Sequence, residues 1–168
     1  MTENLGTQPI ETTKLALTDY SKHTVYIASP FFNDEQSKRV DKLKGLLNRL
    51  NLSFFSPKDS SNLLFEENKD NQTKVFEMNI EAIKNSTIVI AVTNDKDTGT
   101  LFEAGMAFTL GKPLFYLYDG GKSFNLMLSN SGVATTSFDE LEAVITKLFK
   151  GTDYKELIAQ QKSKYEVF

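Results

Sequence analysis

Two carboxylates, Asp97 and Glu103, stand six residues apart across a glycine turn in Asp97-Thr98-Gly99-Thr100-Leu101-Phe102-Glu103-Ala104-Gly105. They directly follow the most apolar run of the chain, Thr87-Ile88-Val89-Ile90-Ala91-Val92-Thr93. That run is β-branched and unbroken, as a strand buried on both faces reads. Residues 101–110 have helical character, which predicts Glu103 in the first turn of a helix, where the helix dipole keeps a carboxylate ionised. An ionised acid at a strand-to-helix junction, with a second acid nearby, suits nucleophilic attack on a sugar carbon. An acid that merely decorates a helix N-terminus fits the same local features, and they leave both readings open.

Composition narrows the chemistry. There is no cysteine, which excludes thiol nucleophiles, disulfides and thiolate-held metals, and the single histidine, His23, excludes a multi-histidine metal site. His23 precedes the first strand and reads as a surface residue. The work is left to carboxylates, hydroxyls and amides, which favours glycosyl transfer, where a pair of acids suffices. A net charge of −3 without a basic block argues against a nucleic-acid partner. No run reaches membrane-spanning length and residues 1–24 lack the apolar centre of a signal peptide, so a cytoplasmic location away from membranes is expected. The 168 residues, 40% hydrophobic with 13 Phe, fit one core: a polar tail over 1–22 and a single domain over 23–168.

The elements that must position the acids alternate between strand and helix. Residues 24–29 read as a strand stopped by Pro30. Asn33 with Gln36 resembles a capping box, opening a helix whose Val40, Leu43, Leu46, Leu47 and Leu50 form one apolar stripe. A second strand over 52–56 ends at Pro57, and 58–72 reads as a long polar loop. A helix over 73–84 is predicted to turn Val75, Phe76, Ile80 and Ile83 inward. The buried strand and the acid-bearing helix follow, closed by Gly111-Lys112-Pro113. A fourth strand over 114–118, a turn at Asp119-Gly120-Gly121 and a weak fifth strand over 132–136 come next. Ser137 with Glu140 then caps a helix carrying Leu141, Val144, Ile145 and Leu148 inward, and the chain from Thr152 reads as helical and polar.

Such alternation implies an α/β fold with right-handed crossovers. The spacing fits a flavodoxin-like doubly wound sheet of five mainly parallel strands, order 2-1-3-4-5, with helices on both faces. Its ligand crevice opens at the carboxyl ends of the first and third strands. Ser29-Pro30-Phe31-Phe32 and residues 95–103 leave the sheet there, and this convergence favours the functional reading of Glu103.

Three segments in register resemble the nucleoside 2-deoxyribosyltransferase family: Val25-Tyr26-Ile27-Ala28-Ser29-Pro30-Phe31-Phe32-Asn33, the segment from Asp97 to Gly105, and Asn125-Leu126-Met127. The likeness covers roughly residues 24–135. It implies an enzyme that exchanges the base of a 2-deoxynucleoside for a free nucleobase through a covalent deoxyribosyl-enzyme intermediate, with no metal or redox cofactor. By position it implies Glu103 as the nucleophile and Asp97 as the carboxylate that holds sugar hydroxyls, with Gly99 beside it. Tyr26 resembles the tyrosine whose hydroxyl orients the nucleophile, and Phe31 and Phe32 the aromatic wall beside the base. Asn125 and Met127 resemble residues lent to a neighbouring subunit's site, which implies a homo-oligomer with shared active sites. The physics agrees: base departure leaves oxocarbenium character that a carboxylate stabilises and captures, and excluding water separates transfer from hydrolysis. Plainer readings stand beside these, with Phe31 and Phe32 as core residues, Tyr26 as a strand aromatic under a helix, Met127 as a core filler and Asn125 as a helix cap.

The chain departs from the family twice. Asn79 stands where the family has a base-contacting aspartate, and an amide can hydrogen-bond a base but cannot act as a general acid near neutral pH. Glu77 and Glu81 lie about 200° around the helix from it and do not substitute. The chain also ends in Phe168 where several members end in a tyrosine that reaches the nucleophile, and Tyr165 is displaced. Two other readings follow. One is an N-glycosidase of nucleosides or nucleoside monophosphates on the same fold, for which only Lys58 and Lys122 could help bind phosphate. The other is a non-catalytic nucleoside-binding module.

Overall fold

The computed structural model describes residues 23–61 and 69–168. The first half runs β1 (Thr24–Ala28), α1 (Asp34–Arg49), β2 (Ser53–Phe55), α2 (Pro57–Ser61), α3 (Lys69–Asn85), β3 (Ile88–Val92) and α4 (Thr98–Thr109). The second runs β4 (Leu114–Leu117), β5 (Ser123–Phe124), α5 (Leu126–Ser131), β6 (Val133–Thr135), α6 (Phe138–Phe149), α7 (Tyr154–Lys162) and β7 (Glu166–Val167). The main sheet has the order β2-β1-β3-β4-β6 and every pairing in it is parallel. Counting only its own strands, this is the anticipated 2-1-3-4-5 arrangement. A small second sheet, β5 with β7, had no signature in the sequence.

Strand alternation sorts the core into two layers. Val25 and Ile27 of β1, with Ile88, Ile90 and Val92 of β3, pack on α1, α6 and α7. Tyr26 and Ala28, with Val89 and Ala91, face α3, α4 and α5. Alanines dominate the second layer: Ala28, Ala91 and Ala134 on the sheet meet Ala104 and Ala107 of α4. Small residues on both sides let α4 lie close to the sheet, which brings a side chain of α4 within reach of a side chain of β1.

Both anticipated capping boxes form, each displaced by one residue. Asn33 Oδ1 accepts from Gln36 N at 2.9 Å, while Gln36 Oε1 accepts from Phe32 N at 2.8 Å. At α6, Ser137 Oγ accepts from Glu140 N at 3.2 Å and Glu140 Oε2 accepts from Thr136 N at 2.9 Å. The helix α4 closes on Gly111 at φ 67°, with Lys112 N bonded to Ala107 O and Gly111 N to Phe108 O, the double bond of a Schellman end.

Several expectations are corrected. The loop anticipated over 58–72 holds α2 and the first turn of α3, because the polar residues 69–72 carry no apolar period from which a helix can be read; residues 62–68 and the expected 1–22 tail lie outside the described residues. Phe76 is not inward but 56% exposed, its ring lying against Phe102 at 6.4 Å. His23 is buried at 9% exposure, edge-on to Phe149 at 5.3 Å, because α6 folds its last turn over the start of β1. Among the described residues no helix is long and apolar enough to cross a membrane.

Candidate active site

Tyr26 is fully buried in β1, and its hydroxyl donates a 2.5 Å hydrogen bond to Glu103 Oε1 on α4. The two residues are far apart in sequence, and the alanine-lined approach of α4 to the sheet joins them. Burial, the charge of Glu103 and the bond itself all hold the Tyr26 phenol well above its ordinary range, so it stays a donor. Burial pushes Glu103 up to about 7, against the Tyr26 bond, which lowers it, and with the Asp97 charge, which raises it. The expectation of a dipole-stabilised acid in a first turn is therefore corrected. Asp97 is the N-cap of α4, so Glu103 is the sixth residue of the helix and lies in its second turn, where burial outweighs the dipole.

Asp97 Oδ2 accepts from Thr100 N at 2.7 Å and from Thr100 Oγ1 at 2.9 Å. Its Oδ1 makes no hydrogen bond to a described residue. Gly99 lies inside the first helical turn, where a Cβ would stand 3.2 Å from Asp97 Oδ2, so glycine leaves room for the capping carboxylate. The loop that presents Asp97 is fastened from two sides. Arg39 of α1 holds Asp95 at 3.0 Å, and Asn94 donates to Asp119 O at 2.7 Å while accepting from Asp119 N at 3.2 Å. Lys96, between Asp95 and Asp97, takes a left-handed backbone at φ 51°. Sequence reasoning missed Arg39 and Asn94, since neither belongs to a motif and both act through residues distant in the chain.

At the exit of β1, Phe31 is half-buried against the first core layer and Phe32 is 73% exposed, their rings 5.2 Å apart. The backbone beneath them is pinned by Gln36 on Phe32 N and by Ser37 Oγ on Phe31 O at 3.2 Å. An exposed aromatic above a fastened backbone at the carboxyl end of β1 offers a surface suited to a flat, partly apolar ligand.

A family model described as nucleoside 2-deoxyribosyltransferase matches residues 25–140, more than half of the chain. The chain belongs to this family. Among solved structures, a 2-deoxyribosyltransferase from Bacillus psychrosaccharolyticus is 32% identical, with 80% of this chain and 95% of that one covered at a TM-score of 0.63. A CMP N-glycosidase from Clostridium botulinum shares the fold at 17% identity, with 74% and 98% covered and a TM-score of 0.52. A conserved protein from Enterococcus faecalis V583 does so at 15% identity, with 87% and 90% covered and a TM-score of 0.51. No match was found among curated proteins.

The remaining residues singled out in this deoxyribosyltransferase-family chain divide into two groups. Asn79 lies on α3 one turn before Ile83, which packs in the same layer as Tyr26 and Ala104. Asn125 and Met127 do not join Glu103 within one chain. Asn125 caps α5, its Oδ1 accepting from Met127 N at 2.9 Å, and Met127 is 73% exposed. Both line a groove of about 890 Å³ whose other wall is Leu101, Gly105 and Phe108 of α4. At about 100° per residue that wall is the face of α4 opposite Glu103. Phe168 lines the same groove, and the Phe168 carbonyl accepts from Leu126 N at 2.9 Å. The Tyr165 hydroxyl is bonded to Glu140 and does not serve Glu103.

Proposed function

We propose that this protein is a nucleoside 2-deoxyribosyltransferase, exchanging the base of a 2-deoxynucleoside for a free nucleobase through a deoxyribosyl ester on Glu103. The pair formed by buried Tyr26 and half-buried Glu103 carries this reading. One carboxylate oxygen is fixed by a tyrosine that stays protonated, and the other, Oε2, has no hydrogen bond to a described residue. A helix cap or surface decoration needs neither burial nor a phenolic partner. Desolvation makes the carboxylate more basic and therefore a better nucleophile.

In the first half-reaction Glu103 Oε2 attacks C1′ of the deoxyribose. The C1′–N bond breaks and its electron pair leaves with the base, which takes a proton from water. In the second, a ring nitrogen of the incoming base attacks C1′, the ester bond to Glu103 breaks with its pair returning to the carboxylate, and the incoming base loses its N–H proton to water. Asp97 supports both halves by accepting from sugar hydroxyls through Oδ1, while Oδ2 stays on Thr100. Phe31 and Phe32 shield one side of the base. The exposed apolar surface of Leu101, Phe108, Leu126, Met127 and Phe168 supports a homo-oligomer, in which the Asn125–Met127 segment of one subunit completes the site of the next.

Hydrolysis is the second reading, since water can resolve the same intermediate. The engagement of Lys58 with both oxygens of Asp41, at 2.8 and 2.9 Å, weighs against a nucleotide phosphate pocket at that lysine. Incubation with a deoxynucleoside, with and without a second free base, separates the readings by chromatography. Formation of the new nucleoside supports transfer; release of base and sugar alone supports hydrolysis.

A further inference from the structure

Asn125 is exposed at the start of α5, and the backbone on both sides of it is held by a single residue, Phe168. Phe168 N donates to Phe124 O at 3.1 Å, and Phe168 O accepts from Leu126 N at 2.9 Å. The Asn125 side chain turns back through Oδ1 onto Met127 N at 2.9 Å, while its Nδ2 makes no hydrogen bond to a described residue. A donor presented outward from a backbone fastened in this way is placed for a group outside its own fold. The fastening itself is thin. β5 and β7 pair over two residues each, and a lone two-stranded ribbon is marginal in water without packing beneath it. Glu166, Val167 and Phe168 are all exposed, so their side chains supply little of that packing.

Tyr165 supplies it. Among residues 162–168 it alone is not exposed. Its ring lies 5.3 Å from that of buried Phe124, the residue before Asn125, and its hydroxyl donates to Glu140 Oε2. Glu140 is a firm anchor, because the same oxygen accepts from Thr136 N at 2.9 Å and from Thr136 Oγ1 at 3.3 Å, where the chain passes from β6 to α6. The Lys164–Glu140 pair at 3.1 Å joins the same attachment, but an ion pair whose lysine is half-exposed contributes little. We propose that Tyr165 is a positioning residue for base exchange. It fastens β7 to α6, and β7 holds the Asn125–Met127 segment in the shape that completes the neighbouring subunit's site. The inference rests on the shared-site reading above, and it gives Tyr165 a role in a site other than the one its own chain's Glu103 occupies.

The test uses Tyr165→Phe, which removes the bond to Glu140 and keeps the ring on Phe124, and Tyr165→Ala, which removes both. Hydrogen bonds to charged groups are among the stronger ones, so kcat/KM is expected to fall about tenfold in Tyr165→Phe, and further in Tyr165→Ala. Co-assembly then locates the defect. Mixed with Glu103→Ala subunits, Tyr165→Ala subunits are expected to regain activity, because their intact Glu103 meets a well-held Asn125 segment from the partner. Mixed with Asn125→Ala subunits they are expected to gain nothing. The cross of Glu103→Ala with Asn125→Ala is the control. Recovery with Asn125→Ala instead, or with neither while the control recovers, overturns the proposal, as does a Tyr165→Ala protein with wild-type kcat/KM. Hydrogen exchange on Tyr165→Phe is an independent arm. Faster exchange confined to residues 123–128 and 165–168 is expected, and wild-type protection there overturns the proposal. If the control cross fails, the shared site and the role of Tyr165 in it fall together, and hydrogen exchange alone shows whether Tyr165 holds the segment.

Discussion

The Tyr26 hydroxyl and Glu103 Oε1 meet at 2.5 Å between a strand and a helix that approach closely because alanines line the contact. The phenol fixes the carboxylate's direction and lowers its pKa against a burial that raises it further. Tyr26→Phe removes both effects while keeping the ring that stacks on Phe55 at 5.7 Å. The expected result is a fall in kcat/KM of about ten- to a hundredfold, with the acid limb of the pH profile displaced to higher pH. An acid limb at the wild-type position would detach the tyrosine from the nucleophile.

Glu103 also makes stability depend on pH with a definite sign. Its folded pKa of about 7 lies above the ordinary 4.5, so the folded state holds the proton more tightly than the unfolded state. The resulting penalty is absent below 4.5, grows between 4.5 and about 7, and is complete above that. Glu103→Gln is expected to abolish exchange and to remove this penalty. In urea melts the variant is expected to be more stable than wild type above pH 7, by a few kcal/mol at most. The advantage should vanish towards pH 4. A constant difference across that range would contradict the burial-driven shift.

Asp97 has two assigned duties, which substitution separates. Asparagine caps helices about as well as aspartate, so Asp97→Asn should keep the melting temperature near wild type and lose activity. Asp97→Ala loses the cap as well, at about 1 kcal/mol of stability. If Asp97→Asn retains full kcat/KM, the residue is a helix cap and nothing more.

The shared-site arrangement predicts complementation. Glu103→Ala and Asn125→Ala proteins, each inactive alone, should recover part of the activity when co-assembled, because mixed assemblies contain sites with an intact Glu103 facing an intact Asn125. Leu126→Asp, which places a charge in the apolar groove, should lower the assembly state measured by light scattering. A wild-type protein that is monomeric at assay concentrations contradicts the arrangement.

Much of this was legible before the structure because the signals were local. The β-branched run at 88–92, the Asn33–Gln36 and Ser137–Glu140 boxes and the Gly111 stop each report their own backbone. The strand order followed from alternation and spacing, and the nearness of Tyr26 to Glu103 was implied by the resemblance to the deoxyribosyltransferase family. What stayed hidden depended on contacts between segments distant in the chain. Nothing near Asp97 says that Arg39 and Asp119 fasten its loop. His23 becomes buried only when α6 packs over it, and β5 forms only because residues 166–167 return to pair with it. The ionisation of Glu103 was misjudged for the same reason: the helix dipole is readable from position, whereas desolvation is set by the helix and sheet that close around the acid.

The central claim is the ester between Glu103 and the sugar, and intact-mass measurement of the protein incubated with a 2-deoxynucleoside in the absence of an acceptor base tests it most directly. The account predicts a species one deoxyribosyl group heavier, mapped by peptide fragmentation to Glu103, that disappears on adding a free base as the new nucleoside forms. A wild-type protein that exchanges bases without this adduct, or a Glu103→Ala protein that still exchanges them, contradicts it.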